Sequence, residues 1–204
     1  MSSAGKVVAW DFDGVLNRNY VDGRFLWEDD FEKDTGQSHA LFNKHVFRHD
    51  FEAVMAGRED IRDRVAGWAD AVGYADGVDA LLAYWFERDV LPDPFTLGLM
   101  DRLDEIGVQQ VIVTNNEPLR ANYIEHDMGF GSRVAHFFTS GRMGSVKPAA
   151  GFYHHVTDAL GVKPDAVYFV DDKLPNVEAA LHHGWQAMHF TDESRHRLEA
   201  FLPL

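Results

Sequence analysis

The 204-residue sequence contains no cysteine, and that one absence removes thiol nucleophiles, disulfides and thiolate-bound zinc from consideration. It has no run of roughly eighteen or more apolar residues, so no membrane-spanning helix is expected. The opening Met1-Ser2-Ser3-Ala4-Gly5-Lys6 lacks the basic flank and apolar body of a secretory leader, and a cytoplasmic location is the expectation. Basic residues are scarce: 19 Lys and Arg stand against 33 Asp and Glu, for a formal net charge of −14. Such a surface repels polyanions, so neither nucleic acid nor an anionic membrane is expected as the main partner. A site for an anionic substrate must then build its own local positive charge. Nothing in the sequence specifies an oligomeric state.

What is present is ample core material, with 46% hydrophobic and 25% charged residues. Two textures alternate along the chain. Short β-rich runs are expected at Val7–Trp10, Gln110–Thr114, Ala135–Thr139, Ala166–Val170 and Gln186–Phe190. Helices are expected between them at Pro118–Met128, Ala149–Leu160 and Leu174–His183, several ending at a glycine. Strands and helices at this spacing predict an α/β fold: a parallel sheet with helices on both faces and a ligand site beyond the carboxyl ends of its strands. Residues 17–92 differ. Strand signals vanish there, and aromatics recur at helical spacing, from Phe25, Trp27 and Phe31 to Tyr84-Trp85-Phe86. The span is too long for an ordinary loop and reads as a small helical domain inserted into a core of residues 1–16 and 93–204.

The insertion begins just after "VVAWDFDGVL", where an apolar run meets Asp11, Asp13 and Gly14. In extended chain, side chains two residues apart share a face at about 6.5–7 Å, so both aspartates can look into one site. Two poorly solvated carboxylates repel each other, and a hard divalent cation such as Mg²⁺ relieves that. Asp-Gly is also a common turn dipeptide, so the pair alone leaves both readings open. Three further strand ends add to it. "VIVTNN" places Thr114 and Asn115 before a helix, where a hydroxyl and backbone N–H groups suit a phosphate oxygen or cap the helix. "GSVKP" offers Lys147 as a point charge for phosphate. "VYFVDDK" ends in a second acidic doublet, Asp171-Asp172.

Carboxylates, hydroxyl, lysine and carboxylates at successive strand ends resemble the four motifs of the haloacid dehalogenase-like hydrolase superfamily. The likeness covers about two thirds of the chain, and the C-terminal half looks most like small sugar-phosphate phosphatases and the N-terminal phosphatase domain of soluble epoxide hydrolases. It implies a Rossmann-like core with a helical cap formed by residues 17–92. It further implies a phosphatase acting on a small phosphorylated metabolite, a sugar phosphate among the options, through an aspartyl-phosphate. By the same resemblance Asp11 is the nucleophile and Asp13 the general acid and base. Gly14, Thr114, Asn115 and Lys147 would serve the phosphoryl group. Mg²⁺ would be held by Asp11, the Asp13 carbonyl and Asp172, with Asp171 beside it holding a metal-bound water or Lys147.

Alternatives stay open at this point. A phosphomutase keeps the same motifs and returns the phosphoryl group to a sugar. A 2-haloacid dehalogenase lacks an acid at the position of Asp13, and a non-catalytic binding module would be expected to have lost Asp11, Asp13 or Lys147. Phosphonate cleavage would need a cap lysine such as Lys33 or Lys44. His45 and His49 have helical i,i+4 spacing without further clustered ligands, so cap packing is the simpler account. Asn17 and Arg18 are placed to touch a leaving group, and Asn176 to brace the Asp172 loop.

Overall fold

The computed structural model describes residues 5–21 and 23–204; the leader reading of Met1–Ala4 therefore falls outside the described residues. The first strand, β1 (Val7–Trp10), is buried along its whole length. A short antiparallel hairpin follows, β2 (Tyr20–Val21) and β3 (Arg24–Phe25). The remaining strands are β4 (Gln109–Thr114), β5 (His136–Thr139), β6 (Val167–Asp171) and β7 (Gln186–His189). Strands β1, β4, β5, β6 and β7 form one parallel sheet in the order β5-β4-β1-β6-β7.

Side-chain alternation along β1 explains the layering. Val8 and Trp10 face a cluster with Leu99, Leu103, Ile124 and Leu198, drawn from the helices of residues 94–105 and 198–201 and the turn of residues 123–127. Val7 and Ala9 face Phe152, Tyr153, Val156 and Ala180, from the helices of residues 150–160 and 174–183. A strand with apolar residues on both faces must be covered on both sides, and this one is. Because β1 leads toward β4 on one side while its neighbour β6 leads toward β7 on the other, a crevice opens at their carboxyl ends.

Residues between β3 and the helix Pro94–Glu105 wind into helices with a hydrophobic cluster of their own, including Trp27, Phe31, Phe42, Trp68 and Phe86. The chain enters and leaves this segment side by side. Arg18 N donates to Leu91 O at 2.8 Å, Asp93 N to Leu16 O at 2.9 Å, and the buried Asn17 side chain bonds both Leu91 N and Asp89 O.

Three local expectations need correction. Strand signals do not vanish after Asn17: the hairpin forms, and its sequence signal is the Asp22-Gly23 dipeptide between Tyr20-Val21 and Arg24-Phe25. Asp22 itself lies outside the described residues, while Gly23 takes φ +86, in the left-handed region. The helix Pro94–Glu105 was not foreseen, although Asp93 caps it by accepting from Phe95 N and Pro94 opens it. The helix begun at Pro118 is α-helical only to Asn122, and Tyr123–Asp127 winds as a π turn.

Candidate active site

Asp11 follows β1 directly and extends its pairing, donating its N–H to Val170 O at 2.9 Å. That continued ladder sets Asp11 beside the end of β6, where Asp171 and Asp172 lie. Carboxylate oxygens of Asp11, Asp171 and Asp172 all fall within 4.8 Å of one another. Lys147 reaches into this cluster with its side chain only 1% exposed. Its ammonium donates to Asp11 Oδ1 at 2.9 Å, Asp171 Oδ2 at 2.7 Å and Val113 O at 2.8 Å. Three protons meet three acceptors, so the buried cation is fully paired.

The acids are not equivalent. Asp171 is fully buried, and Lys173 N and both bonds from Asn176 Nδ2 fill its remaining lone pairs. Asn176 thus braces Asp171 rather than the Asp172 side chain. Asp172 Oδ2 pairs with the Lys173 ammonium at 2.8 Å, whereas its Oδ1 is shielded from solvent and has no hydrogen-bond partner among the described residues. Burial, reinforced by Asp171, pushes the Asp11 carboxyl well above the ordinary carboxylate range against the pull of Lys147. Burial also raises Asp172, only partly offset by Lys173. Burial alone would lower Lys147, but Asp11 and Asp171 outweigh it and hold the ammonium charged.

Gly14 shapes the same site by what it lacks. Its φ is +83, and a Cβ there would lie 2.6 Å from Asp172 Cγ and Oδ2. Its N–H is donated to Asn17 O at 2.7 Å, so Gly14 leaves room for Asp172 rather than offering a free donor. Gly14→Ala is accordingly expected to destabilise the fold by about 1–3 kcal/mol, a drop of roughly 3–10 °C in thermal midpoint. An unchanged melting curve would show that Asp172 yields without cost.

On the other side, the buried Thr114 accepts from Asn116 Nδ2 at 2.9 Å. Asn115 clamps the lysine loop, its side chain bonding both Lys147 N and Lys147 O at 2.9 Å. Asp13 is half-buried and receives three side-chain amides: Asn19 at 2.8 Å, Asn116 at 3.1 Å and Asn17 at 3.2 Å. Behind it, Asp89 accepts from Asn19 at 2.7 Å and from the buried Arg120, whose guanidinium also lies 3.8 Å from Asp13. Burial, then the neighbouring charge of Asp13, pushes Asp89 up to about 7 against Arg120.

The structure therefore brings Asp11, Asp13, Gly14, Thr114, Asn115, Lys147, Asp171 and Asp172 to one crevice. It adds Asn19, Asp89, Asn116 and Arg120, which sequence reasoning missed; only Asn116, adjacent to "VTN", carried a local signal. Other expectations go elsewhere. Arg18 turns outward to Asp192. Lys33 pairs with Asp30 at the surface, Lys44 is exposed, and no lysine lines the cavity beside Asp13 among the described residues. The helix bearing His45 ends at Val46, so His49 does not share its face.

The profile of the haloacid dehalogenase-like hydrolases matches residues 6–184, and the chain belongs to that family. It is 34% identical over 106 residues to the sesquiterpene phosphatase astK of Aspergillus oryzae, a match spanning 50% of this chain and 52% of that relative. In fold it is similar to a HAD family enzyme of Bacteroides thetaiotaomicron solved with magnesium and inorganic phosphate, with TM-score 0.76 and 19% identity, covering 91% of this chain and 94% of that one. An L-2-haloacid dehalogenase of Xanthobacter autotrophicus with chloropropionic acid covalently bound gives TM-score 0.65 at 18% identity, covering 96% and 86%. Likeness at these identities is one of fold. No helix among the described residues is long and apolar enough to cross a membrane.

Proposed function

We propose that this hydrolase cleaves small phosphate monoesters by covalent catalysis, with Asp11 as nucleophile. The observation that carries the reading is Asp13: an acid two residues after Asp11, held by three side-chain amides at the mouth of a cavity. An Asp11 oxygen attacks phosphorus, the bond to the ester oxygen breaks, and Asp13 gives that oxygen its proton. Asp13 then takes a proton from the water that attacks the aspartyl-phosphate, freeing inorganic phosphate and restoring Asp11. Lys147 offsets the repulsion between a carboxylate and a phosphate, and Thr114 with Asn115 lines the phosphoryl position. The phosphatase relative supports this choice over dehalogenation, in which an acid at position 13 has no part to play.

Mg²⁺ fits the residues present. Three clustered carboxylates face one buried lysine, Asp172 Oδ1 lacks a partner among the described residues, and Gly14 leaves room for the Asp172 side chain. Asp11, the Asp13 carbonyl and Asp172 would hold the ion, with Asp171 fixing Lys147. When bound, the ion supplies positive charge to the phosphoryl oxygens. The helical segment of residues 17–92 would act as a cap, docked where Ser140 Oγ donates to Met55 O at 2.6 Å. Phosphate release from an aryl phosphate is expected to require Mg²⁺, to cease in excess chelator and to return on adding the ion. Undiminished turnover in chelator would refute the metal assignment, and phosphoryl transfer without release of inorganic phosphate would indicate a mutase.

A further inference from the structure

We infer that the alcohol leaving the phosphate ester is apolar, and that it sits in the aromatic cavity opening at Asp13. The inference rests on the phosphatase reading and adds its substrate class. The cavity holds about 300 Å³, at the small end of ligand pockets. Asp13 and Asn115 are among its lining residues, so a phosphoryl group held at Asp11 would have its ester oxygen beside it.

Six apolar side chains make the walls: Phe25, Trp27, Phe47, Phe51, Met55 and Trp85. They brace one another. The Trp27 and Trp85 rings lie 5.2 Å apart, Phe47 and Trp85 5.3 Å, and Phe47 and Phe51 4.8 Å, so the apolar shape exists before a ligand arrives.

Several polar side-chain atoms that line the cavity are already engaged. Glu117 accepts from Leu119 N and Arg120 N of its own helix. Arg120 donates to Phe86 O and Asp89 O at 3.0 Å each. Asn116 serves Asp13 and Thr114, and both side-chain atoms of Asn115 are taken by Lys147. Asp89 Oδ1 is shielded from solvent, so it offers a ligand nothing, and the mostly aromatic lining has few polar atoms to share among the several hydroxyls of a sugar. Each hydroxyl buried without a partner weakens binding by roughly tenfold or more. The sugar ester suggested by sequence resemblance therefore matches this lining less well than an apolar one.

The test is kcat/KM for ethyl, butyl, hexyl and octyl monophosphates, phenyl phosphate and glucose 6-phosphate, all with Mg²⁺. The expected result is a rise of about threefold per methylene until the cavity fills, with glucose 6-phosphate below butyl phosphate. A flat series, or a preference for glucose 6-phosphate, while phenyl phosphate is still hydrolysed overturns the inference and leaves the phosphatase reading standing. If no ester is hydrolysed, the phosphatase reading falls, and binding decides the cavity separately. Octyl phosphate titrated into the Asp11→Asn protein is expected to change the tryptophan fluorescence saturably, at lower concentration than ethyl phosphate, because Trp27 and Trp85 line the cavity. No such difference overturns the inference.

Discussion

Asp11→Asn is expected to reduce phosphate release by about 10⁴-fold or more, the scale on which removal of a covalent nucleophile acts. The amide keeps the shape of the carboxylate and its place beside Lys147, so lost chemistry rather than lost structure accounts for the effect. Stability should move the other way. The Asp11 carboxyl is pushed up by burial and by Asp171, so its ionised form costs the native state free energy at neutral pH. That cost is absent below the unfolded value and grows as the pH rises through the folded one. The variant is therefore expected to melt at or above the wild-type temperature at pH 7, with the gain disappearing toward pH 4. Wild-type turnover surviving in Asp11→Asn would remove the nucleophile from the mechanism.

Lys147→Met is expected to damage both fold and reaction. Among the described residues the lysine is the one cation bonded to both Asp11 and Asp171 in the buried cluster, and its loss strands two carboxylates away from water. Breaking a buried pair in this way costs about 3–5 kcal/mol, or roughly 6–20 °C in thermal midpoint for a chain of this size. Without the ammonium Asp11, already held up by burial, is pushed further up, so the loss is present at neutral pH and recovers as the pH falls and it takes up a proton. The double variant Lys147→Met, Asp171→Asn should regain part of the lost stability without regaining activity. Turnover should fall by at least about 10²-fold, as for removal of a donor aimed at developing charge. Identical melting of variant and wild type at pH 7 and pH 5 would show that Lys147 does not hold the cluster together.

Much of this site was legible because its residues sit at strand ends. Val7–Trp10 and Leu174–His183 were read with the bounds the structure shows, and the other sheet strands to within a residue at either end. A parallel sheet places such ends on one edge, so Asp11, Thr114 and Asp171 could be expected to meet without knowledge of any side-chain packing, whereas Lys147 lies beyond β5 and a short helix of residues 140–143 and not at a strand end as expected. The residues around Asp13 could not be found in this way. Asn19 and Asp89 are far apart in sequence and meet because the chain enters and leaves the inserted segment side by side. Arg120 sits on the short helix Pro118–Asn122, and its charged side chain is buried against Phe86 and Asp89 by packing that no local pattern shows. The hairpin was missed for a different reason: its paired runs are two residues long, too short for periodicity to register.

The sequence by itself determined the order of the strands' polar ends, the acidic excess and the family, because each is carried by local residue type and spacing. Tertiary structure alone decided which acid is saturated and which is left open, what holds Asp13, and that aromatic rings of residues 25–85 close around the cavity that Asp13 lines. Those outcomes depend on the angle at which one hydrophobic cluster packs beside another. Many sequences share a helical period without sharing that angle.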